Sequence, residues 1–447
     1  MAKEILKKPI SDKERALIDY AQGEGYCNNI LNGVATPEEL LAILTHCTPK
    51  MPQTGVEEWQ RMMFREACDY VYTAYEKIVP FDYSKVGGTV AESALELDLF
   101  RDILDVPFPG PKDPKFTFID LFAGIGGFRI AMQELGGKCV YSSEFDPQAQ
   151  RSYFANYGEM PFGDITKEET KSYIPKKFDI LCAGFPCQAF SLAGRRLGFK
   201  DETRGTLFFE IEDILIRHQP KAFFLENVKG LKIHDRGKTI KTILNHLDDA
   251  GYDVVPPQIL NAMDFGVPQH RERIYIIGFH KDLKINVKDF QYPEPTTPEG
   301  HRVPFKKVME KKEVSVKYYL SDVYLETLRK HRARHEAAGH GFGYEIIDKN
   351  GVANAIVVGG MGRERNLVID NRLTDFHPVT NISGVVNREG VRKMTPREWA
   401  RLQGFPDTFK IVVADASAYK QFGNSVAIPA IRATAERELE MLGLINA

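Results

Sequence analysis

Short apolar runs alternate with amphipathic stretches from residue 116 onward. Six β-rich apolar runs predict strands, and three stretches between them have the three-to-four-residue spacing of a helix with one buried face. The predicted strands cover residues 116–122, 138–143, 178–183, 222–226, 252–259 and 273–279, and the predicted helices cover residues 128–135, 207–218 and 238–250. This alternation predicts an α/β fold with a doubly wound, mostly parallel sheet that binds ligands at the carboxyl ends of its strands.

Prolines interrupt the chain just before this alternation begins. Residues 107–114 contain four prolines, which have no backbone N–H to donate, so regular structure is expected to stop there. Residues 11–80 have helical spacing, whereas after residue 280 the strand and helix alternation ends. The predicted units are a helical N-terminal extension (1–115), a large α/β domain (116–280), a smaller irregular domain (281–417) and a C-terminal segment that returns to the large domain with one closing helix over residues 428–444 (418–447).

The composition is that of a globular protein. The 447 residues are 43% hydrophobic and 27% charged, which suffices for one large domain or two ordinary ones. No apolar run reaches about 18 residues and no secretory signal opens the chain, so we expect neither a membrane span nor secretion. The six cysteines form no C-x-x-C pair, which argues against a disulfide framework or a cysteine-rich zinc site and favours a reducing cytoplasm.

Charge is divided unevenly along the chain. Residues 1–115 carry a net charge of −6, and residues 116–447 carry a net charge of +4. A positive body is compatible with a nucleic-acid partner but indicates one only weakly. The most basic long segment, residues 301–336, contains ten Lys or Arg, five Asp or Glu and three His, a count that the solvated face of an ordinary helix also produces.

A glycine-rich motif follows the first predicted strand. Residues 120–128 read DLFAGIGGF, and glycines here allow the backbone to approach a ligand at the start of a helix. The third glycine of a dinucleotide site is replaced by Arg129, and the sequence contains no phosphate-loop motif. Glu144, about 20 residues further on, could accept hydrogen bonds from a ribose diol, and Asp164 could accept one from an adenine amino group. The motif predicts an adenosine pocket, unless both acids cap helices instead.

Candidate catalytic groups lie at the ends of three predicted strands. Cys187 follows a proline at the end of one strand, a position that suits a nucleophile, although a lone cysteine is more often buried packing, as we expect for Cys182. Glu226 ends a strongly apolar strand, where burial raises the proton affinity of a carboxylate. Arg271 and Arg273 alternate onto one face of a further strand. They could meet Glu226 in an ordinary ion pair or in an active site.

Two further motifs complete a series of six. Residues 394–406 read MTPREWARLQGFP and residues 421–429 read QFGNSVAIP, and each joins a loop to a helix. In this order, the six motifs resemble those of the DNA (cytosine-5)-methyltransferases over residues 116–447. Residues 354–365 and 388–399 are most similar to the bacterial HpaII-type modification methyltransferases. The N-terminal extension lies outside the resemblance.

The resemblance implies a class I S-adenosylmethionine-dependent methyltransferase fold, in which residues 281–417 form the target-recognition domain. It implies S-adenosylmethionine as the methyl donor and S-adenosylhomocysteine as the product, with no metal. Glu144 then binds the ribose, and Asp164 with Ile165 lies at the adenine. The residues that the resemblance places around the donor are Phe122, Ala123, Gly124, Ile125, Gly127, Glu144, Phe145, Asp164, Ile165, Pro186, Leu207, Asn424, Ser425 and Val426.

The resemblance also implies a covalent mechanism. Cys187 adds to C6 of cytosine, because C5 is too poor a nucleophile until the aromaticity of the ring is broken. A neighbouring positive charge, from Arg271 or Arg273, is expected to lower the pKa of the thiol from its usual value of about 8.5. Glu226 holds N3 protonated, Arg271 helps to hold the base, and Arg273 supports its strand. C5 then takes the methyl group and loses its proton to water or hydroxide, and Cys187 is expelled.

The target carbon lies inside a base stack, so the cytosine is expected to rotate out of the duplex at a cost of roughly a few kcal/mol. Residues 188–204 are expected to close over the DNA. Within the target-recognition domain, residues 359–366 carry two arginines, which suit the major-groove edge of guanine, although an ordinary solvated turn is the alternative. The predicted DNA-binding residues are Gln188, Ser191, Arg195, Arg204, Arg363 and Arg365. The predicted target is 5'-CCGG.

We expect a monomer in the bacterial cytoplasm that works at the nucleoid on double-stranded DNA, as the modification arm of a restriction-modification system. The cognate endonuclease acts on the same site without necessary contact. A tRNA cytosine-5 methyltransferase is the nearest alternative, because the catalytic motifs do not separate the two nucleic acids; the long recognition region favours DNA. A DNA-binding transcriptional regulator that acts through residues 1–115 is an alternative of another class, and the acidic balance there argues against it.

Overall fold

The computed structural model of the chain describes residues 106–185, 207–341, 343–359, 362–377 and 384–446, together with Ala42. Most of the predicted N-terminal extension lies outside these residues, so its helical and regulatory interpretations stay predictions. No helix in the described part is long and apolar enough to cross a membrane.

A mixed, mostly parallel sheet forms the centre of the described chain. The first eight strands are β1 (Phe116–Leu121), β2 (Gly137–Ser143), β3 (Ile180–Gly184), β4 (Ala222–Val228), β5 (Tyr252–Val254), β6 (Gln258–Asn261), β7 (Gln269–His270) and β8 (Glu272–His280). All of these except β7 join one sheet in the order β2-β1-β3-β4-β8-β5, with β6 also paired to β8. Strands β2, β1, β3 and β4 are parallel, and β8 is antiparallel to β4, β5 and β6.

Helices cover both faces of this sheet, and further helices lie elsewhere in the described chain. In chain order the described α-helices are α1 (Gly127–Glu134), α2 (Pro147–Tyr157), α3 (Glu168–Lys171), α4 (Leu207–His218), α5 (Lys238–Asp249), α6 (Asp322–Ala337), α7 (Pro396–Leu402), α8 (Asp415–Asn424) and α9 (Ile428–Met441). One face, with Phe118 and Phe224, packs against α1 and α9. The opposite face, with Leu121 and Leu225, packs against α4 and α5. Two hydrophobic cores enclose the strands, and the predicted doubly wound α/β class is confirmed.

Most predicted elements differ from the observed ones only at their ends, but one predicted strand was wrong. Residues 252–259 form two strands instead of one, because Pro256 and Pro257 lie between β5 and β6 and have no N–H to donate to a neighbouring strand. The predicted closing helix over residues 428–444 ends earlier, at Met441.

Among the described residues of 281–417, the longest regular element is α6, and α7 is a helix of seven residues. Their strands β9 (Ala353–Asn354), β10 (Leu367–Ile369) and β11 (Val391–Lys393) are short; β9 pairs with β7, and β10 pairs with β11. Arg392 on β11 lies 3.0 Å from Asp370 and 2.7 Å from Glu398, and these three side chains are almost fully buried. Glu398 also forms a capping box with Thr395 at the start of α7. This ionic cluster joins β11 to α7, while the predicted domain boundaries stay predictions.

Candidate active site

The carboxyl ends of β1 and β2 bring the glycine-rich motif against Glu144. β1 passes into a turn in which Phe122, Gly124 and Gly126 have φ angles of 54°, 55° and 80°. The backbone N–H of Gly124 donates to Glu144 Oε2 at 2.9 Å, and that of Asp146 donates to Glu144 Oε1 at 2.8 Å. Each carboxylate oxygen is therefore held by a backbone donor and keeps a lone pair for a ligand.

The two predicted pocket acids, Glu144 and Asp164, are not the N-cap residues of the neighbouring helices. Asp146 caps α2, and Lys167 occupies the N-cap position of α3. Burial raises the pKa of Glu144, and its backbone hydrogen bonds oppose that rise. Asp164 Oδ1 accepts hydrogen bonds from the backbone N–H and the hydroxyl of Thr166, at 3.0 and 2.9 Å. Its second oxygen, Oδ2, takes no part in this turn.

A cavity of about 730 Å³ opens at this edge of the sheet. Phe145 lies on its rim and is 72% exposed, so its ring is available to stack against a planar ligand. Every predicted donor-binding residue within the described chain lines this cavity: Phe122, Ala123, Gly124, Ile125, Gly127, Glu144, Phe145, Asp164, Ile165, Leu207, Asn424, Ser425 and Val426. Pro186 lies outside the described residues.

A glycine allows the loop after α8 to close against the cavity. A Cβ atom on Gly127 would lie 2.7 Å from a methyl carbon of Val426 and 2.9 Å from the hydroxyl oxygen of Ser425. A side chain at this position would therefore push the loop away from the first turn of α1. The close approach brings together two motifs that are about 300 residues apart in the sequence, and both line the cavity.

Glu226, Arg271 and Arg273 line the same cavity. Glu226 is 6% exposed, and its Oε1 lies 3.1 Å from Arg273 Nε. The antiparallel pairing of β4 with β8 sets Val228 opposite Arg273. Glu226 lies two residues before Val228 on the same face of β4, so its side chain reaches that of Arg273. Burial raises the pKa of Glu226, and the charges of Arg273 and Arg271 oppose the rise. The carboxyl group therefore keeps its proton to higher pH than an exposed glutamate does.

Arg271 is buried and binds backbone carbonyl groups. Its guanidinium donates to the carbonyl oxygens of Ser425 at 2.6 Å, Ile356 at 3.2 Å and Gly423 at 3.4 Å. Burial lowers the pKa of Arg271 to about 9, and the charge of Arg273 acts in the same direction. Arg271 therefore connects the Glu226 end of the cavity to the loop that closes its other end.

Several cavity residues were missed in the sequence. Asp120, at the end of β1, is 1% exposed, and its Oδ2 has no hydrogen-bond partner among the described residues. Burial raises the pKa of Asp120 to about 8. A polar residue that ends an apolar strand is the signal that could have identified it. Lys420 on α8 lies 2.6 Å from Asp146 at the rim, and nothing in its local sequence indicates this contact.

The predicted nucleophile and the whole of the loop expected to cover the DNA, residues 188–204, lie outside the described residues. The neighbouring described residues, Phe185 and Leu207, both line the cavity. Asn227 Nδ2 donates to the carbonyl oxygen of Phe185 at 2.9 Å, which ties the end of β4 to the start of that segment. The residues concerned are Cys187, Gln188, Ser191, Arg195 and Arg204.

The two predicted recognition arginines, Arg363 and Arg365, do not line the cavity. Arg365 Nη2 lies 3.2 Å from Glu345, and the Arg363 guanidinium lies 5.5 Å from the centre of the Tyr419 ring. Each arginine thus contacts another side chain of the described chain. Their role in reading a base stays a prediction.

Comparisons with known proteins agree with this arrangement. The family model of the C-5 cytosine-specific DNA methylases matches residues 116–439. The chain is 70% identical to the Type II methyltransferase M.HpaII of Haemophilus parainfluenzae over 74% of this chain and 90% of that protein. It is 40% identical to the Type II methyltransferase M.HhaI of Haemophilus parahaemolyticus over 71% of this chain and 93% of that protein. The fold of this chain is similar to that in the crystal structure of S. pombe Dnmt2 methyltransferase, with a TM-score of 0.53 and 18% identity over 73% of this chain and 99% of that one.

Proposed function

The chain belongs to the C-5 cytosine-specific DNA methylases, and on that premise we propose how the residues of the cavity divide the work of methyl transfer between them. The enzyme is a DNA (cytosine-5)-methyltransferase. Members of this family use S-adenosylmethionine, which supplies an electrophilic methyl group when it is bound. The residues that line the cavity form two groups. We call the group around Glu144 the donor end of the cavity and the group around Glu226 the base end.

The donor end fits S-adenosylmethionine. The carboxylate of Glu144, held by two backbone donors, accepts hydrogen bonds from the ribose hydroxyl groups. Phe145 stacks on the adenine, and Asp164 accepts a hydrogen bond from its amino group. The buried Asp120 carboxyl group, with one oxygen unpartnered in the described chain, offers an acceptor to a cationic group. Gly127 leaves room for the Ser425 loop to close over the site.

The base end performs the activation of cytosine. The Cys187 thiolate adds to C6, and the electron pair of the C5–C6 double bond is displaced into the ring toward N3. The neutral Glu226 carboxyl group provides the proton at N3, so that no full negative charge develops on the base. The positive charges of Arg271 and Arg273 then stabilise the carboxylate that Glu226 becomes. The location of these two arginines and Glu226 in the donor's own cavity is the observation that carries the proposal.

The remaining steps restore the aromatic ring. C5 forms a bond to the methyl carbon as the bond from that carbon to the donor's sulfur breaks, so that S-adenosylhomocysteine leaves and C5 carries both a proton and the methyl group. Water or hydroxide removes the C5 proton, and the electron pair released re-forms the C5–C6 double bond and expels the Cys187 thiolate. Glu226 recovers its proton from N3. The chain is unchanged at the end of the cycle, and the products are 5-methylcytosine and S-adenosylhomocysteine.

The DNA target is proposed to be 5'-CCGG, in the modification arm of a Type II restriction-modification system. The similarity to M.HpaII over 90% of that protein supports this choice, together with the resemblance of residues 354–365 to HpaII-type enzymes. The cytosine rotates out of the duplex into the base end, beneath residues 188–204. Recognition by Gln188, Ser191, Arg195, Arg204, Arg363 and Arg365 belongs to this proposal, as does a monomer that acts at the nucleoid without contacting the endonuclease.

Transfer of labelled methyl groups tests the proposal. The full chain is incubated with methyl-labelled S-adenosylmethionine and a duplex that carries 5'-CCGG, with four duplexes that each change one of its base pairs, and with tRNA. We expect label in the first duplex alone, and cleavage protection or bisulfite sequencing then identifies the methylated cytosine. Label in tRNA but not in duplex DNA would contradict the proposed substrate. Label in one of the altered duplexes would overturn the proposed target alone.

A further inference from the structure

The segment that follows β4 begins beside the base end of the cavity. β4 carries Glu226 into the site, and Val228 at its end still lines the cavity. A short 3₁₀ turn, Lys229–Lys232, and a tight turn over His234–Gly237 follow, and α5 then begins at Lys238. Because a crossover helix starts at the carboxyl edge of a parallel sheet, the whole segment lies at the edge where the active site opens.

Four cations of this segment are exposed, and each is without an acidic partner within 4.0 Å in the part of the chain that the structure describes. We call them the basic strip: Lys232, Arg236, Lys238 and Lys241. A fifth cation, Lys229, pairs with Glu272 at 2.7 Å. Residues 229–241 contain a single acid, Asp235, which is also exposed. The strip therefore presents net positive charge at the edge of the sheet where the cavity opens.

The basic residues of α6 differ in this respect, although α6 belongs to the basic segment 301–336, which contains ten Lys or Arg. Arg329 pairs with Glu389 at 2.6 Å. Arg332 pairs with Glu336 at 2.7 Å, and Lys330 lies 3.8 Å from its neighbour of opposite charge one turn away. These charges are largely balanced within the protein. Of these two basic segments, the strip is the one that combines exposed cations with proximity to the active site.

The turn that holds Arg236 has an unusual backbone. Asp235, Arg236 and Gly237 have φ angles of 47°, 55° and 81°, all in the left-handed region. This region costs an ordinary residue roughly 1–2 kcal/mol. A hydrogen bond of 2.6 Å between His234 Nδ1 and the Thr239 hydroxyl joins the two sides of the turn. The turn is exposed and its backbone is strained, and Arg236 makes no ion pair in the described chain. Strain of this kind is typical of functional sites, so we infer that the turn presents Arg236 to a ligand.

We propose that the basic strip binds backbone phosphates of the duplex flanking the target site. The inference rests on the proposed function, because it requires duplex DNA at the active-site edge. Phosphates in B-DNA supply one negative charge per about 1.7 Å of axis, so a duplex held at the cavity would bring several within reach of long Lys and Arg side chains. Lys238 and Lys241 share one face of α5, and the backbone N–H groups at its start add partial positive charge. Such contacts hold the DNA without reading its sequence.

A charge-neutral variant tests the strip in the full-length enzyme. The changes are Lys232→Gln, Arg236→Asn, Lys238→Gln and Lys241→Gln; asparagine is chosen at 236 because it tolerates the left-handed conformation. The readouts are kcat and KM at several salt concentrations on 5'-CCGG duplexes of about 12 and about 40 base pairs. The matched control neutralises four exposed lysines at the opposite edge of the sheet with Lys176→Gln, Lys177→Gln, Lys284→Asn and Lys288→Gln; asparagine is again used where the backbone is left-handed, at Lys284 with a φ of 54°.

For the 40-base-pair duplex we expect the strip variant to have a KM at least about tenfold higher at physiological salt, with kcat at saturating DNA unchanged. The slope of log affinity against log salt becomes shallower by about 0.9 for each phosphate that the enzyme no longer neutralises, so by about 3 to 4 for the whole strip. The effect on KM is smaller for the 12-base-pair duplex, which has fewer flanking phosphates. The control variant keeps the wild-type KM and salt dependence.

Two results would overturn the inference. One is an unchanged salt dependence and KM in the strip variant, and the other is an equal weakening in the control variant. If the fourfold variant fails to fold, as judged by its melting temperature, the pair Lys232→Gln and Lys241→Gln leaves the left-handed turn intact and should give about half the change in salt dependence. Failure of the proposed function is seen separately, as a wild-type enzyme that does not label the duplex.

Discussion

The two ends of the cavity each hold a buried carboxyl group, but they hold it in different ways. At the donor end, backbone N–H groups of Gly124 and Asp146 bind the Glu144 carboxylate. At the base end, the flanking groups of Glu226 are the side chains of Arg273 and Arg271. Both sets of groups favour the ionised carboxylate, but the backbone donors hold both oxygens of Glu144 in place, whereas the arginine charges stabilise the carboxylate that Glu226 becomes when it gives up its proton. The donor end therefore suits constant binding, and the base end suits a proton that moves.

The largest expected effect comes from Glu226→Gln at the base end. The amide can still donate a hydrogen bond to N3 but cannot give up a proton, so we expect kcat to fall by about 10²-fold or more. The Kd for duplex DNA should change little, because most of the affinity comes from the phosphate backbone. Single-turnover methyl transfer and fluorescence anisotropy measure the two quantities. Glu134→Gln, at a half-exposed glutamate on α1, serves as the control.

The same residue predicts a pH dependence. Burial raises the pKa of Glu226, so its neutral form persists to higher pH than in an exposed glutamate and is lost as the pH rises through the raised pKa. For wild type we expect kcat to decline on the alkaline side of its optimum as this proton is lost. Glu226→Gln should lack that decline. A Glu226→Gln profile that keeps the alkaline limb would assign it to another group.

At the donor end, Glu144→Gln should act on binding alone. The side-chain amide must turn its NH₂ group toward one of the two backbone donors, which costs about 1–3 kcal/mol and corresponds to a rise of about 5- to 150-fold in the Kd for S-adenosylmethionine. Isothermal titration calorimetry measures this directly. We expect kcat at saturating donor to stay near the wild-type value, since Glu144 does not contact the base. A large fall in kcat under saturation would show that the two ends are not separable.

Arg271→Lys tests the connection between the ends. Lysine keeps the charge but cannot span the carbonyl groups of Ser425, Ile356 and Gly423 together. Loss of these hydrogen bonds should lower the free energy of unfolding by about 1–3 kcal/mol and raise the Kd for the donor by up to about tenfold. Chemical denaturation and donor titration provide the two values. If kcat falls while stability and donor binding do not change, Arg271 acts only on the base and does not connect the two ends of the cavity.

The smallest effect is expected from Lys420→Gln at the rim. Its ion pair with Asp146 is partly exposed, and such pairs contribute about 0–1 kcal/mol. The melting temperature and the Kd for S-adenosylmethionine should both remain close to wild type. A reduction of more than about tenfold in donor affinity would show that the rim contact positions the Glu144 segment.

The sequence predicted the site residues better than their connections. Glu144 and Glu226 end apolar runs, so a local pattern identified each of them as a candidate. Arg271 was expected at the base, but its partners Ile356 and Ser425 are 85 and 154 residues away, and no local pattern encodes such distances. Asp120 appeared in the sequence analysis only as the first residue of a motif. Its burial could not be predicted locally, because it depends on packing from both faces of the sheet.

The same limit applies to the fold. Strands buried on both faces appear as apolar runs, so their existence could be predicted from a short window. Helix α2 was not predicted: it buries polar side chains such as Gln150 and Asn156, which bond to Glu144 and to Lys410, so its apolar periodicity is weak. The break between β5 and β6 is different, because Pro256 and Pro257 signal it in the sequence itself.

Covalent trapping tests the central claim most directly, because the base end is proposed to act on a cytosine bonded to Cys187. A 5'-CCGG duplex with 5-fluorocytosine at the methylated position has no C5 proton to release, so the adduct cannot resolve. With S-adenosylmethionine present we predict a denaturation-resistant complex, with the oligonucleotide mapped to Cys187 by peptide mass spectrometry. Cys187→Ser should bind the donor normally and give no complex. An active wild-type enzyme that forms none, or one linked through another residue, would contradict the account.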